Sequence, residues 1–335
     1  MTIRPPFVLD FLRTHSLTDL ETAHGVYARW DNEGTKFSLS YDQLEAKDSD
    51  PVSQQCRGLI LRPVVSMAHL GSEVRSKTIV GECLVLAWPM DRFFNYGQEA
   101  AAEVDLSDPK TMIYEKLDGT LCIVYFDDLK GKWCVATRSV PEADLPVDGW
   151  GEYTFASLFE EAFLATSGGW DSLHHAMEEV GGTGGLTWCF ELLTPQNQVV
   201  VKHKDKRVVL LSVRGREDGN YGESHDLRWY ANQIQVPMAP CHQAGSMDAL
   251  VAFVNSRSGT DYEGVVACQL VTVPGQNGAV ALRVKIKSAA YLMASRIRTT
   301  MGASPRNVME LILLEQVDDL YPILQDDQVA RVDSM

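Results

Sequence analysis

The chain has 335 residues, a formal net charge of −15 and 45% apolar residues. That length allows one large domain or a large and a small one. No apolar run approaches the roughly 18 residues of a membrane span, and Met1 to Asp10 lacks the basic head and cleavage site of a secretion signal, so a soluble, cytoplasmic protein is expected.

The elements follow in chain order. Pro5 to Leu20 predicts a short helical opening, with Ser16 as a cap. Val26 to Trp30 and Thr35 to Tyr41 flank Asp31-Asn32-Glu33-Gly34, a hairpin signal. Residues 57–62, 79–87, 111–115, 121–126 and 132–138 predict successive strands. Phe155, Leu158, Phe159, Ala162 and Phe163 fall at spacings of three and four, which predicts a helix with one apolar face. His174 and His175 lie on a further helix, where adjacent side chains diverge; a shared metal is not expected and both are placed at the surface. Gly181-Gly182-Thr183-Gly184-Gly185 leads into the strand-like Leu186 to Leu193 rather than a helix, so it is a flexible connector and not a phosphate loop. Gly259 to Leu270 and Val280 to Ile286 bracket another hairpin turn at Pro274 to Gly278. Beyond Ser288 the pattern turns helical, with Ala289 to Arg298, a start at Ser304-Pro305, and Leu313, Val317 and Leu320 in register. Seven cysteines, an odd count, form no Cys-x-x-Cys pair, so neither structural zinc nor a disulfide framework is expected.

Chemistry concentrates at Tyr114-Glu115-Lys116-Leu117-Asp118-Gly119-Thr120, a lysine inside a turn between two strand-like runs, where Gly119 supplies backbone freedom. A free lysine at neutral pH is the reactive amine in only about one molecule in two thousand, so a nucleophilic lysine needs surroundings that favour that form. Arg283, Lys285 and Lys287 alternate with Val284 and Ile286; on a strand this puts three cations on one face, Lys285 and Lys287 about 6–7 Å apart. That spacing suits neighbouring phosphates, although a solvated edge strand shows the same alternation. Lys202, Lys204, Lys206 and Arg207 form another basic group. An acidic body with a basic cleft, binding nucleic acid weakly and with salt sensitivity, is expected, and solvated charge is the alternative for the 202–207 run.

The ordered set Cys56-Arg57-Gly58, Pro89 to Asn95, Lys116 to Gly119, Thr187 to Leu192, Leu210 to Arg214, Glu263-Gly264-Val265-Val266 and Arg283 to Ser288 resembles the ATP-dependent RNA ligases of the phage type, within the covalent nucleotidyltransferase superfamily. The resemblance implies an α+β adenylyltransferase fold of antiparallel sheets over residues 1–288, with a small helical C-terminal domain over 289–335 and no five-stranded oligonucleotide-binding barrel. It implies that Lys116 takes AMP from ATP with Mg²⁺ or Mn²⁺, passes it to an RNA 5′-phosphate, and that a 3′-hydroxyl then displaces it. Arg57 and Arg92 would touch nucleotide phosphate, Lys285 and Lys287 the α-phosphate, and Glu191 the ribose hydroxyls. Glu263 would serve the metal through water. Glu115 would belong to the nucleotide site, and Tyr291 would stand near the phosphates or in the core of the tail. Arg138 and Ser139 match the segment after the nucleophile, and Asp118 would shape the turn. The implied partners are ATP and RNA ends, with no membrane, and the protein would be a monomer. Alternatives are a DNA-joining, RNA-capping or 5′-adenylylating relative, and a nucleic-acid-binding relative without chemistry.

Overall fold

The computed structural model describes residues 6–64, 81–147, 149–180, 185–221, 224–257, 261–272 and 279–299. Helices α1 (Phe7–Leu12) and α2 (Leu17–His24) open the chain. Ser16 caps α2 in a reciprocal pair with Asp19, satisfying two otherwise orphaned backbone donors. The hairpin of β1 (Val26–Trp30) and β2 (Phe37–Tyr41) follows, then α3 (Pro51–Gln55), β3 (Arg57–Pro63) and β4 (Cys83–Ala87). These four strands form one sheet in the order β1-β2-β3-β4. Its inner face, with Phe37, Leu39, Leu59 and Leu61, packs on Val8, Leu12 and Leu20 of the two helices.

The next stretch runs β5 (Phe94–Asn95), β6 (Met112–Lys116), β7 (Thr120–Asp127), β8 (Lys132–Ala136), β9 (Pro146–Val147) and β10 (Trp150–Thr154). Then come α4 (Phe155–Thr166), α5 (Trp170–Glu179), β11 (Leu186–Leu193), β12 (Arg207–Gly215), α6 (Ser224–Ile234), β13 (Cys241–His242), α7 (Met247–Asn255), β14 (Gly264–Thr272), β15 (Ala279–Lys287) and α8 (Ala289–Thr299). β9 and β10 pair only with each other. A second sheet has the order β12-β11-β7-β8 and a third the order β13-β6-β14-β15-β5, with β15 to β5 the only parallel pairing among the described strands.

The fold is therefore α+β with antiparallel sheets, and no closed barrel is present among the described residues. The apolar stripe of α4 meets β11, where Phe159 and Phe163 pack on Phe190 beside Trp188, all fully buried. Burying each such ring contributes about 1.5–3 kcal/mol. Because β6 and β7 lie in different sheets, the turn between them, Leu117 to Gly119, crosses from one sheet to the other. Gly119 sits where a Cβ would lie 2.4 Å from the Leu192 carbonyl oxygen; its φ is not positive, so close approach rather than backbone freedom demands glycine.

A chain of alternating charges locks the first sheet to the second. Lys36 and Asp127, both fully buried, are 2.6 Å apart; Asp127 also holds Arg62 at 2.7 Å, and Lys36 reaches Glu142 at 2.7 Å, which holds Lys130 at 2.6 Å. Burial pushes the Asp127 carboxyl up, but the hydrogen bonds from Lys36 and Arg62 outweigh it and hold it down at about 2. Nothing in the hydrophobic periodicity signals this network. His174, placed at the surface by its polarity, is instead half-buried between the rings of Phe126 and Trp133, at 4.8 and 5.0 Å, while His175 is exposed beside Glu179. The hairpin turn at 274–278, most of the glycine connector at 181–184 and the tail from 300 onward, including the helix start at Ser304 and residues 313, 317 and 320, lie outside the described residues.

Candidate active site

The cleft lies between the second and third sheets and has a volume of about 290 Å³. Register builds its floor. Gly264 of β14 pairs with Lys116 on one side and Lys287 on the other, Val266 with Tyr114 and Lys285, and Cys268 with Met112 and Arg283. Side chains two apart on a strand share a face, so these three rows bring Lys116, Lys285, Lys287 and Arg283 to one surface.

Glu263 enters just ahead of β14 and joins the ends of both neighbours. Its carboxylate, 2% exposed, is 2.7 Å from Lys116 Nζ and 2.8 Å from Lys287 Nζ. One anion thus balances two ammonium groups, so Lys116 sits in an ion pair rather than among cations alone. Gly264 has φ +150°, and a Cβ there would lie 2.0 Å from the Ile286 carbonyl oxygen; the strands can close this tightly only around glycine.

Lys285 has no such carboxylate. Burial first, and then the charges of Arg57, Lys116 and Lys287, push its ammonium down to about 7 against the opposing pull of Glu263. The ring of Phe93 faces both Lys285 Nζ, at 5.1 Å, and the Arg57 guanidinium, at 5.4 Å. Phe93 is a site residue that the sequence reading passed over, although it lies inside the quoted Pro89 to Asn95 segment. Across the cleft, burial raises the Glu191 carboxyl to about 7, partly offset by Lys116 and reinforced by Glu263. A carboxylate and a basic wall on opposite sides, with apolar side chains such as Leu211, Tyr221 and Val266 lining the cleft, suit a ligand with hydroxyls, phosphates and a flat apolar body.

The remaining expected residues distribute differently. Arg57 and Arg138 line the cleft, and Arg138 stacks on Tyr41 at 5.2 Å. Arg92 does not line it: the guanidinium lies against the rings of Tyr41 and Phe94 and pairs with Asp48 at 2.6 Å, because the backbone N–H of Arg92, donating to the Gln54 carbonyl, fixes the segment that way. Glu115 lines the cleft, but its carboxylate is on the opposite face of β6 from Lys116 and pairs with His242 at 3.0 Å. Tyr291, buried on α8, donates to Asp118 at 2.6 Å rather than standing free in the cleft, with the Lys287 ammonium 5.1 Å from its ring. Asp118 also accepts from the backbone of Val200 and Val201 at 2.7 and 2.6 Å, which ties the turn after Lys116 to the segment that follows β11. The 202–207 run does not reach the cleft; Lys206 is paired with Glu161 and the others are exposed, so the solvated alternative holds.

No family model matches the chain. It is 26% identical to an RNA ligase of Rhodothermus phage RM378, over 89% of this chain and 72% of the relative. It is 25% identical to a putative bifunctional polynucleotide kinase/RNA ligase of Autographa californica nuclear polyhedrosis virus, over 88% of this chain but 39% of that longer protein. An archaeal ATP-dependent RNA ligase structure superimposes over 99% of this chain and 78% of its own, with a TM-score of 0.50 at 12% identity. The chain has the nucleotidyltransferase fold. In that fold the cleft between the second and third sheets, with Lys116 at its floor, gathers the cations, the Glu191 carboxyl and the apolar walls described above.

Proposed function

We propose that this chain is an ATP-dependent RNA ligase that works through a covalent lysyl-AMP at Lys116. The observation that carries the reading is the Lys116–Glu263–Lys287 bridge beside Lys285, at one end of a cleft with an apolar middle. Lys116 Nζ attacks the α-phosphorus of ATP; a P–N bond forms, the bond to the bridging oxygen breaks, pyrophosphate leaves and the amine gives up a proton. An oxygen of an RNA 5′-phosphate then attacks the same phosphorus and Lys116 departs. Finally a 3′-hydroxyl attacks the 5′-phosphorus and AMP leaves.

Arg57, Lys285 and Lys287 offset the charge that grows on the phosphoryl oxygens, fixed in place before reaction so that little reorganisation is needed. Lys285, once beside a phosphate, takes up the proton that burial strips from it. Glu263 accepts hydrogen bonds from Lys116 in the resting enzyme and lies within reach of the proton the amine must lose. Glu191 accepts from the ribose hydroxyls. Arg92, held by Asp48, acts on the site indirectly, its guanidinium packing on Phe94 next in the chain to Phe93.

Among the described residues no three His, Cys, Asp or Glu side chains gather to hold a metal alone. A magnesium or manganese ion that keeps its water and binds mainly to polyphosphate fits that arrangement, with Glu263 and Glu191 as its available carboxylates. When bound, such an ion neutralises phosphate charge. Residues 1–288 would form the adenylyltransferase domain and 289–335 a helical C-terminal domain, of which α8 is the described part. The protein would act as a cytoplasmic monomer.

The test is incubation with ATP labelled at the α-phosphate, followed by denaturation. Label should remain on the polypeptide, disappear in Lys116→Ala, and pass to RNA carrying a 5′-phosphate with joining to a 3′-hydroxyl. Label retained in Lys116→Ala, or transferred to RNA without joining, refutes the assignment.

A further inference from the structure

The third row of the cleft floor holds a cation that the adenylyl-transfer scheme does not use. Arg283 lies on the same face as Lys285 and Lys287, and its row is four residues from that of Lys287, about 13 Å along the strand. That separation is comparable to the reach of an extended nucleoside monophosphate. The walls there are apolar, formed by Leu211, Leu270 and Tyr221.

Arg283 is held rigidly. Its guanidinium lies 4.4 Å from the ring of Tyr221, whose ring is also 4.4 Å from the guanidinium of Arg214, and Arg214 in turn lies 3.9 Å from Trp88. The stack of four therefore runs from Trp88 to the cleft. Arg214 is fully engaged, with both terminal nitrogens on Asp91, at 2.8 and 3.3 Å, and further bonds to the carbonyls of Pro89 and Gly219. Arg283 is not. It carries five N–H donors, and the oxygens beside it are the Ser212 hydroxyl, at the 3.5 Å limit of a hydrogen bond, and the Tyr221 hydroxyl. The nearby carboxylate of Asp91 is taken by Arg214. Half-buried at the cleft wall with few protein acceptors, the guanidinium has donors open to a ligand in the cleft.

We propose that Arg283 reads the nucleobase. Its guanidinium donates to a ring nitrogen on the edge of adenine, and the Ser212 hydroxyl accepts from the exocyclic amine next to it. Lys285 and Lys287 hold the α-phosphate at the other end. A second phosphate group is the poorer occupant, because the walls around Arg283 are apolar and Arg283 is one row removed from the nearest lysine. This inference rests on the ligase reading for the orientation of the nucleotide. It adds a specificity-determining residue to it.

Two edges of adenine pair a ring acceptor with the amine, one through N1 and one through N7. Equilibrium binding to the full chain is therefore measured with ATP, 1-deaza-ATP and 7-deaza-ATP, for the wild type, Arg283→Met and Arg283→Lys. A hydrogen bond from a charged donor is worth about tenfold or more in affinity. The wild type should bind one deaza analogue at least about tenfold more weakly than ATP, and Arg283→Met should bind ATP as weakly as that analogue. Arg283→Lys, which keeps the charge but not the planar fork, should fall between them. If both analogues bind the wild type as well as ATP, or if Arg283→Met weakens all three nucleotides equally, the residue only supports the stack and the inference is overturned. Absence of nucleotide binding overturns it too. Base preference in binding without covalent label on Lys116 would sink the ligase reading while leaving the base contact standing.

Discussion

Lys285 gives the sharpest quantitative expectation. Its ammonium is pushed down to about 7 in the free protein, and a phosphate beside it restores the charge. At pH 8 about nine-tenths of free molecules therefore carry a neutral Lys285, and binding must be accompanied by uptake of about 0.9 proton. Affinity should fall about fivefold from pH 7 to 8 and approach tenfold per unit above that. Between pH 7 and 9 this amounts to about 2.3 kcal/mol. The assay is calorimetric titration with an ATP analogue carrying a methylene bridge between the α and β phosphates, in buffers of different ionisation enthalpy, for the wild type and Lys285→Met. The nucleotide's own terminal phosphate titrates identically in both, so the difference isolates the lysine. The same depression has a counterpart in stability: from about pH 7 to 10 the unfolded chain keeps a proton on Lys285 that the folded chain has lost, so stability should rise with pH across that window in the wild type and not in the variant. Equal proton uptake in both proteins, or a flat difference in affinity from pH 7 to 9, would refute the reasoning.

Further expectations concern the walls of the cleft and the framework. Glu191 has the opposite sign: its carboxyl is raised to about 7, so between about pH 4.5 and 7 the folded chain holds the extra proton and this contribution to stability is lost as pH rises through 7. Thermal melts of Glu191→Gln should lack that decline, and on the proposed ribose contact labelling with ATP should fall because one acceptor oxygen becomes an NH2 donor. Gly264→Ala places a Cβ 2.0 Å from the Ile286 carbonyl oxygen and should cost about 3 kcal/mol or more in urea unfolding, with Lys116 labelling lost. Asp127→Asn leaves Lys36 and Arg62 without their shared anion; unfolding should cost about 3–5 kcal/mol, with stability the affected property rather than nucleotide preference. Tyr291→Phe removes the hydroxyl donated to Asp118 but keeps the ring beside Lys287, so the rate of label transfer should drop while ATP affinity changes little, as stopped labelling time courses can separate.

Local pattern was sufficient wherever one residue's environment depends on its near neighbours. Alternation in Arg283 to Lys287 specified which side chains share a face, the three-and-four spacing of Phe155 to Phe163 specified the buried stripe of α4, and Ser16 marked a helix start. The lysine turn and the Glu263-Gly264 pair were legible as separate motifs. What the sequence did not contain was their distance, since 147 residues separate Lys116 from Glu263 and only the register of β6 on β14 makes them partners at 2.7 Å.

The misplacements have the same origin. Arg92 has the charge and position along the chain that a nucleotide site needs, yet Asp48, supplied from a distant segment, takes it up outside the cleft, and Glu115 lines the cleft with its carboxylate turned to His242. Lys202 to Arg207 looks basic in one dimension, yet it occupies the loop between β11 and β12 and the first residue of β12, outside the cleft lining. In this protein composition and periodicity determined the strands, the helices and the set of reactive side chains, because those follow from backbone geometry within a few residues. Tertiary structure decided which charges meet, which cation is stripped of its proton at Lys285, and which guanidinium is left with donors to spare at Arg283, because burial and pairing depend on what other parts of the chain bring alongside.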